Sequence, residues 1–296
     1  MPVLGPNNLR LGATQINKAY LGATLLFDGA GPAPVFPSAT GGTETVITQD
    51  DKFYRVHTFL TSGNLTVTQG GDFEYLVVAG GGPGGANTFG GSGGGSAGDV
   101  LTGVQELSAD TYAFTVGAGG VSTDEETSTS GGNSTALGLT AVGGGFGATR
   151  LADPSNGGGG SQSRLVGSAH PTSFSGGDGN LGSTADDRAG GGGRGSSGNG
   201  ITAVDGKAGD GGPATLSGIS GVAVDYGRGG GGGRRGATGA GTPNGANGAS
   251  SGGAGVNPGD GGGGASSTGA ITLGGAGASG VVIIRYEISQ AEYEAA

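Results

Sequence analysis

Between Thr43 and Ala79 apolar and polar residues alternate with the two-residue period of half-buried strands. The stretch TETVITQDDKFYRVHTFLTSGNLTVTQGGDFEYLVVAGGG holds four runs rich in Val, Thr, Tyr, Phe and Ile. They are separated by Gln49-Asp50-Asp51, Ser62-Gly63-Asn64 and Gly70-Gly71-Asp72. β-branched and aromatic residues between such turn formers predict strands. Two more strands are predicted within 98–120, on either side of Ser108-Ala109-Asp110, one within 134–145, and a last one in GVVIIRYEI at 280–288. In that last strand Val281 and Ile283 occupy one face and Val282 and Ile284 the other, which predicts a central strand covered on both sides. Only the short tail SQAEYEAA has a helical pattern. The chain is read as all-β.

Upstream, Leu11-Gly12-Ala13-Thr14 recurs ten residues later as Leu21-Gly22-Ala23-Thr24, and each copy predicts a small β element around a turn glycine. Residues 30–42, with three prolines, read as an extended linker. The predicted organisation is an N-terminal β repeat over 1–29, a Pro/Gly linker over 30–42, a glycine-rich body over 43–288 and a tail over 289–296.

Glycine changes this picture. The chain has 78 Gly in 296 residues, against roughly 7% in an average protein. From Gly80 to Ser279 one residue in three is glycine, whereas the flanks are ordinary. Collagen fails, because its strict three-residue register holds only briefly, as in Gly227-Gly230-Gly233-Gly236-Gly239, and prolines are few. A calcium-binding β-roll fails too. Gly176-Gly177-Asp178-Gly179-Asn180-Leu181 begins like one, but the Asp of the sixth position and the next repeat are missing. A disordered linker would lack the flanking strands and the apolar islands at Ile201–Val204, Leu216–Val224 and Ile271–Leu273. The favoured reading is a bundle of polyproline-II-type helices. Such a helix has three residues per turn and no internal hydrogen bonds, so glycine-faced neighbours can approach and pair their backbones. The predicted fold is therefore a β-sandwich base with a glycine-rich polyproline-II-type (polyglycine II) helix bundle.

Charge and composition exclude several chemistries. With no Cys, disulfides and thiolate sites are ruled out, and two His leave little for imidazole metal sites or triads. No catalytic residue, metal ligand or cofactor is assigned, and the chain is expected not to be an enzyme. A formal net charge of −10 argues against nucleic-acid binding. The many Gly-x-Gly-x-x-Gly matches lack the following helix of a dinucleotide site. His57 lies in an alternating strand, and the carboxylates at Asp124-Glu125-Glu126 and Asp186-Asp187 read as solvated loops. No run approaches 18 apolar residues and the N-terminus has no signal-peptide pattern, so the protein is expected to be made inside the cell and not secreted.

Five ordered segments carry a resemblance: FYRVHTFLTSGNLTV, EYLVVAGGGPGG, LSADTYAFTVGAGG, GGNSTALGLTAVGGG and GGAGASGVVIIRY. Together, over about 44–288, they resemble the glycine-rich domain of bacteriophage tail fibres and adhesins. The LGAT segment is similar to short repeats at the N-termini of phage tail proteins. The resemblance implies a virion protein that recognises a host surface receptor, an outer-membrane protein or a glycan. It also implies that the N-terminal segment, with Leu11, Tyr20 and Leu21, attaches to other virion proteins. Turns at the ends of glycine excursions are then the candidate receptor contacts: Thr88 and Phe89, Arg150, His170, Phe174 and Tyr226. A homotrimer and a single-chain bundle both stay open, as do the fibre tip, baseplate, neck and capsid. Two alternatives are a virion spacer or decoration fibre that touches no receptor, and an ice-binding protein.

Overall fold

Each LGAT copy spans one hairpin. Leu11 pairs with Thr14 and Leu21 with Thr24, at the inner ends of β1 (Arg10–Leu11) with β2 (Thr14–Gln15) and of β3 (Lys18–Leu21) with β4 (Thr24–Asp28). These strands lie in one unit, Met1–Phe36, and the rest of the chain, Pro37–Ala296, forms another. A computed structural model describes residues 35–155, 157–161, 166–168, 174–180, 188–235 and 251–296, together with the backbone of the four N-terminal strands.

The second unit opens with β5 (Ser38–Thr40), β6 (Thr43–Gln49), β7 (Lys52–Phe59), β8 (Gly63–Gln69) and β9 (Gly71–Val78). The four predicted runs of this region are β6 to β9. β5, however, occupies what the prolines predicted to be linker. It is a strand because Ala39 is buried and both its backbone groups bond the Tyr286 hydroxyl, at 2.9 and 3.2 Å. β10 (Asn87–Gly91) follows, then β11 (Val100–Leu107) and β12 (Asp110–Phe114) on either side of the predicted turn. β13 (Val121–Ser122) and β14 (Ser128–Thr129) form a short hairpin, as do β15 (Ser134–Ala136) with β16 (Leu139–Ala141) and β17 (Thr215–Ser217) with β18 (Val224–Tyr226). β19 (Ser266–Thr272) pairs with β10, and β20 (Val281–Ile288) leads into α1 (Gln290–Glu294). The Ser289 hydroxyl and the Glu292 side chain cap the start of α1 reciprocally.

The structure is nearly all β. Five antiparallel strands form one sheet in the order β11-β9-β20-β7-β6, and three form another in the order β12-β8-β5. β20 is the central strand of the larger sheet, as its two apolar faces predict. Val282, Ile284 and Tyr286 meet Phe59, Phe73 and Val77 of their own sheet and Leu65, Val67 and Phe114 of the smaller one. On the other face Val281 and Ile283 pack with Val56, Leu76 and Val78, covered by Ile219 and Tyr226 from β17, β18 and their loop.

Between strands the chain runs in glycine-rich segments whose amides bond across to other segments. The run 92–99 shows the rule. Ser92, Gly95 and Gly98 donate to Ala265, Gly262 and Gly259, while Gly93, Ser96 and Asp99 donate to Ala148, Gly145 and Val142. Gly94 and Ala97 donate to Gly191 and Arg194. Every third N–H thus serves the same neighbour. The carbonyls of this run accept in turn from 79–85, 159 and 230–233, so six segments surround it. A Cβ at Gly95 would lie within 2.5 Å of the Pro83 carbonyl oxygen, so only glycine allows this approach.

Two predictions follow from this packing. Gly95→Ala should cost more than about 3 kcal/mol in a denaturant melt, because rigid backbone must move. Gly218→Ala meets nothing within 4 Å and should be neutral or gain up to about 1 kcal/mol by restricting the unfolded chain. A third concerns His57 in the sheet, fully buried, with Nδ1 2.7 Å from the Gly41 carbonyl. Burial holds its pKa below the usual 6.5 despite the Glu44 carboxylate 3.8 Å away. The unfolded chain therefore takes up a proton that the fold resists, and stability present above pH 6.5 is lost as pH falls below it. Melting temperature should fall from pH 7.5 to 5.5 in the wild type, and most of that slope should vanish in His57→Gln.

Candidate functional site

The pairing levels of the runs locate their ends. Ala79, Gly82 and Gly85 donate to Asp99, Ser96 and Gly93, so the segment leaving β9 lies antiparallel to the one entering β11. β10, which joins them, stands at the end away from the five-stranded sheet. The run 259–265 pairs with 98 down to 92 and delivers β19 to the same end, where β10 and β19 zip together. The run 142–149 follows 99 down to 93 and places Thr149 there. Gly230 and Gly233 donate to Gly95 and Ser92, which brings Arg234 and Arg235 to that end as well.

This far end gathers side chains distant in sequence. Phe89 is 40% exposed, and the Arg235 guanidinium sits over its ring, 5.4 Å from the centroid. The Thr88 hydroxyl donates to the Glu125 carboxylate. The Glu125 carbonyl accepts from the Thr149 hydroxyl, which also accepts from the amides of Leu151 and Ala152 at 3.2 and 2.8 Å. Glu125 therefore ties β10 to the 149–152 turn, where Arg150 and Leu151 are exposed. Its own loop is held by Asp124, whose carboxylate accepts from the amides of Thr127 and Glu126 and from the Thr127 hydroxyl. Those bonds, the Thr127 amide foremost, hold the Asp124 pKa below its usual value.

Three of the expected contact residues, Thr88, Phe89 and Arg150, thus come together. Phe174 does not. Asn180 pairs with Ala189 and Gly177 donates to Gly192, so the run 174–180 is antiparallel to 189–195 and Phe174 lies toward the sheet. Tyr226 is also not a tip residue. At 3% exposure it is core beneath the five-stranded sheet's outer face, and its burial raises its pKa. The tip reading of Tyr226 fails because Val224 and Tyr226 lie on β18 and pack against the five-stranded sheet. His170 and the side chains of Leu11, Tyr20 and Leu21 lie outside the described residues.

A family model described as a glycine-rich domain matches residues 58–287. The chain belongs to this glycine-rich domain family. The match runs from the end of β7 to the end of β20 and so takes in every described glycine run. No curated protein matches the chain.

Sequence reasoning about this glycine-rich domain missed Glu125, Arg235 and the exposed Ile271 of β19. Glu125 read as one of three loop carboxylates, and no local pattern distinguishes it. Arg235 was legible only as the second half of Arg234-Arg235 at the close of a glycine run. Among the described residues no cluster of His, Asp and Glu could hold a metal ion, and no helix is long and apolar enough to cross a membrane. What the far end offers is contact surface: a ring, aliphatic side chains, hydroxyls and charges on a hydrogen-bonded scaffold.

Glu125→Ala should release Thr88 while sparing the sheets. Amide exchange at 87–91 and 149–152 is expected to rise roughly fivefold to tenfold, the loss of one charge-assisted hydrogen bond at a part-exposed site. Exchange in β7, β9 and β20 should be unchanged.

Proposed function

We propose that this protein is a bacteriophage virion component, a tail fibre or adhesin that contacts a host surface receptor through the far end of its glycine runs. In this reading the two sheets are a β-sandwich base and the runs a polyglycine II bundle. The observation that carries the bundle is the three-residue recurrence of inter-run bonds, one turn of a polyproline-II-type helix. Such a bundle is a stiff spacer, because each run is cross-bonded along its length. It holds loops away from the base with their geometry set, as recognition surfaces on rigid scaffolds require.

Receptor contact is proposed for Phe89 with Thr88, Arg150, Leu151 and Ile271. Aromatic anchors beside aliphatic and charged groups dominate binding energy at interfaces. The paired hairpins of residues 10–28 are proposed to attach the protein to other virion proteins. The outer-membrane protein and glycan readings of the receptor share this surface.

Phe89→Ala removes the ring without touching the backbone bonds of β10. Virions or purified protein carrying it should adsorb to host cells about tenfold or more weakly, with unchanged melting temperature. Undiminished adsorption by Phe89→Ala and by Leu151→Ala together would replace the adhesin reading with that of a spacer.

A further inference from the structure

The outer face of the five-stranded sheet is covered only in part. Val281 and Ile283 lie under Ile219 and Tyr226. Two residues beyond Ile283, Arg285 of β20 stands beside Glu74 of β9, and Glu74 beside Val104 of β11, so these three form one row across adjacent strands. Val104 is 63% exposed, and the loop between β17 and β18 therefore leaves this row open. Ser217, Gly218 and Ile219 of that loop, with Thr102 and Gln49, line a cleft of about 290 Å³ over it.

The polar groups of the cleft are held in place and only partly used. Arg285 is 9% exposed, and its guanidinium lies over the Tyr54 ring, 4.5 Å from the centroid. Its Nε and Nη2 donate to a single Glu74 oxygen, Oε2, at 3.0 and 2.7 Å, and its Nη1 donates to Gln49 Oε1 at 2.6 Å. Among the described residues, Glu74 Oε1, the Gln49 amide nitrogen and the Thr102 hydroxyl have no protein partner. They supply an acceptor, a donor and a group that is both. Val104 and Ile219 add apolar surface beside them. Glu74 and Arg285 are the only charged residues lining the cleft, and they pair with each other.

We propose that this cleft binds one neutral sugar residue. An anion would meet the Glu74 carboxylate and a cation the Arg285 guanidinium, so the paired charges favour neither. A sugar ring presents neighbouring hydroxyls, each a donor and an acceptor, together with C–H groups that pack on aliphatic side chains. The cleft's volume lies near the lower end of small-molecule sites, roughly 300 Å³, which suits a single ring. Stacking and ion pairing already hold Arg285 and Glu74, so binding need not order them. The cleft is on the sheet and not at the far end. The proposal is therefore independent of receptor contact there.

The test titrates the isotope-labelled full chain with glucose, galactose and mannose and follows its amide resonances. At least one of the three should shift the amides of 102–104 and 217–219 saturably, with a Kd of about 1–10 mM. Thr102→Val keeps the shape of an exposed side chain and should raise that Kd about threefold to tenfold. Glu74→Gln keeps an acceptor for Arg285 and should raise it about tenfold or more. Glucosamine and glucuronate, similar rings carrying a cation and an anion, should bind no more tightly than the neutral sugars. Phe89→Ala should leave the titration unchanged. The proposal is overturned if no neutral sugar gives a saturable shift at these residues, or if a charged sugar binds more tightly. It is overturned equally if Thr102→Val binds as the wild type does, a result that stands even where Glu74→Gln fails to fold.

Discussion

The hydrogen bond from one glycine run to the next, repeated every third residue, is the constraint on which the rest of the structure depends. A chain with three residues per turn and no internal bonds leaves every amide and carbonyl pointing outward, and burying them unpaired is prohibitive. The run 92–99 resolves this by donating to three neighbours and accepting from three others. Six close neighbours leave no space for side chains at most positions, which explains why a third of the residues from 80 to 279 are glycine. Where a Cβ does fit, the residue is put to use. The Ser96 hydroxyl accepts from the Gly145 amide at 2.8 Å, and that of Ser134 accepts from Gly117 and donates to Val78.

Such bonding does not hold glycine by itself. One hydrogen bond contributes about 1 kcal/mol net, while ordering each residue costs about 1–2 kcal/mol and glycine loses the most. The sheets make up the difference. Runs enter and leave β9, β11 and β20, three adjacent strands of one sheet, and β20 is buried on both faces. The strands therefore hold the ends of the runs side by side, which lowers the entropy that the inter-run bonds must offset.

The same architecture explains why the far end carries the candidate contacts. Residues inside the glycine runs have no room for a recognition side chain, and most of those on the sheets serve the core. Away from the sheets, ring, aliphatic and charged side chains can gather only where runs turn, and Thr88, Phe89, Glu125, Arg150 and Arg235 do so. The Glu125 network gives that end an order which isolated turns would lack.

The alternating strands, the central place of Val281–Ile288 and the capped tail helix were legible in the sequence, because each depends on a local period or a local capping pattern. The three-residue spacing of glycine likewise pointed to outward-bonding runs. Which run lies beside which was not legible. A glycine run presents the same face to any neighbour, so pairing is decided by where the strands release it. That is why Phe174 and Tyr226 read as tips and proved to lie toward the sheet, while Phe89 and Arg150 lie at the far end. Local pattern determined the type of structure that each segment adopts. Tertiary structure alone decided the neighbours, since backbone bonds between glycines carry no information about their partners.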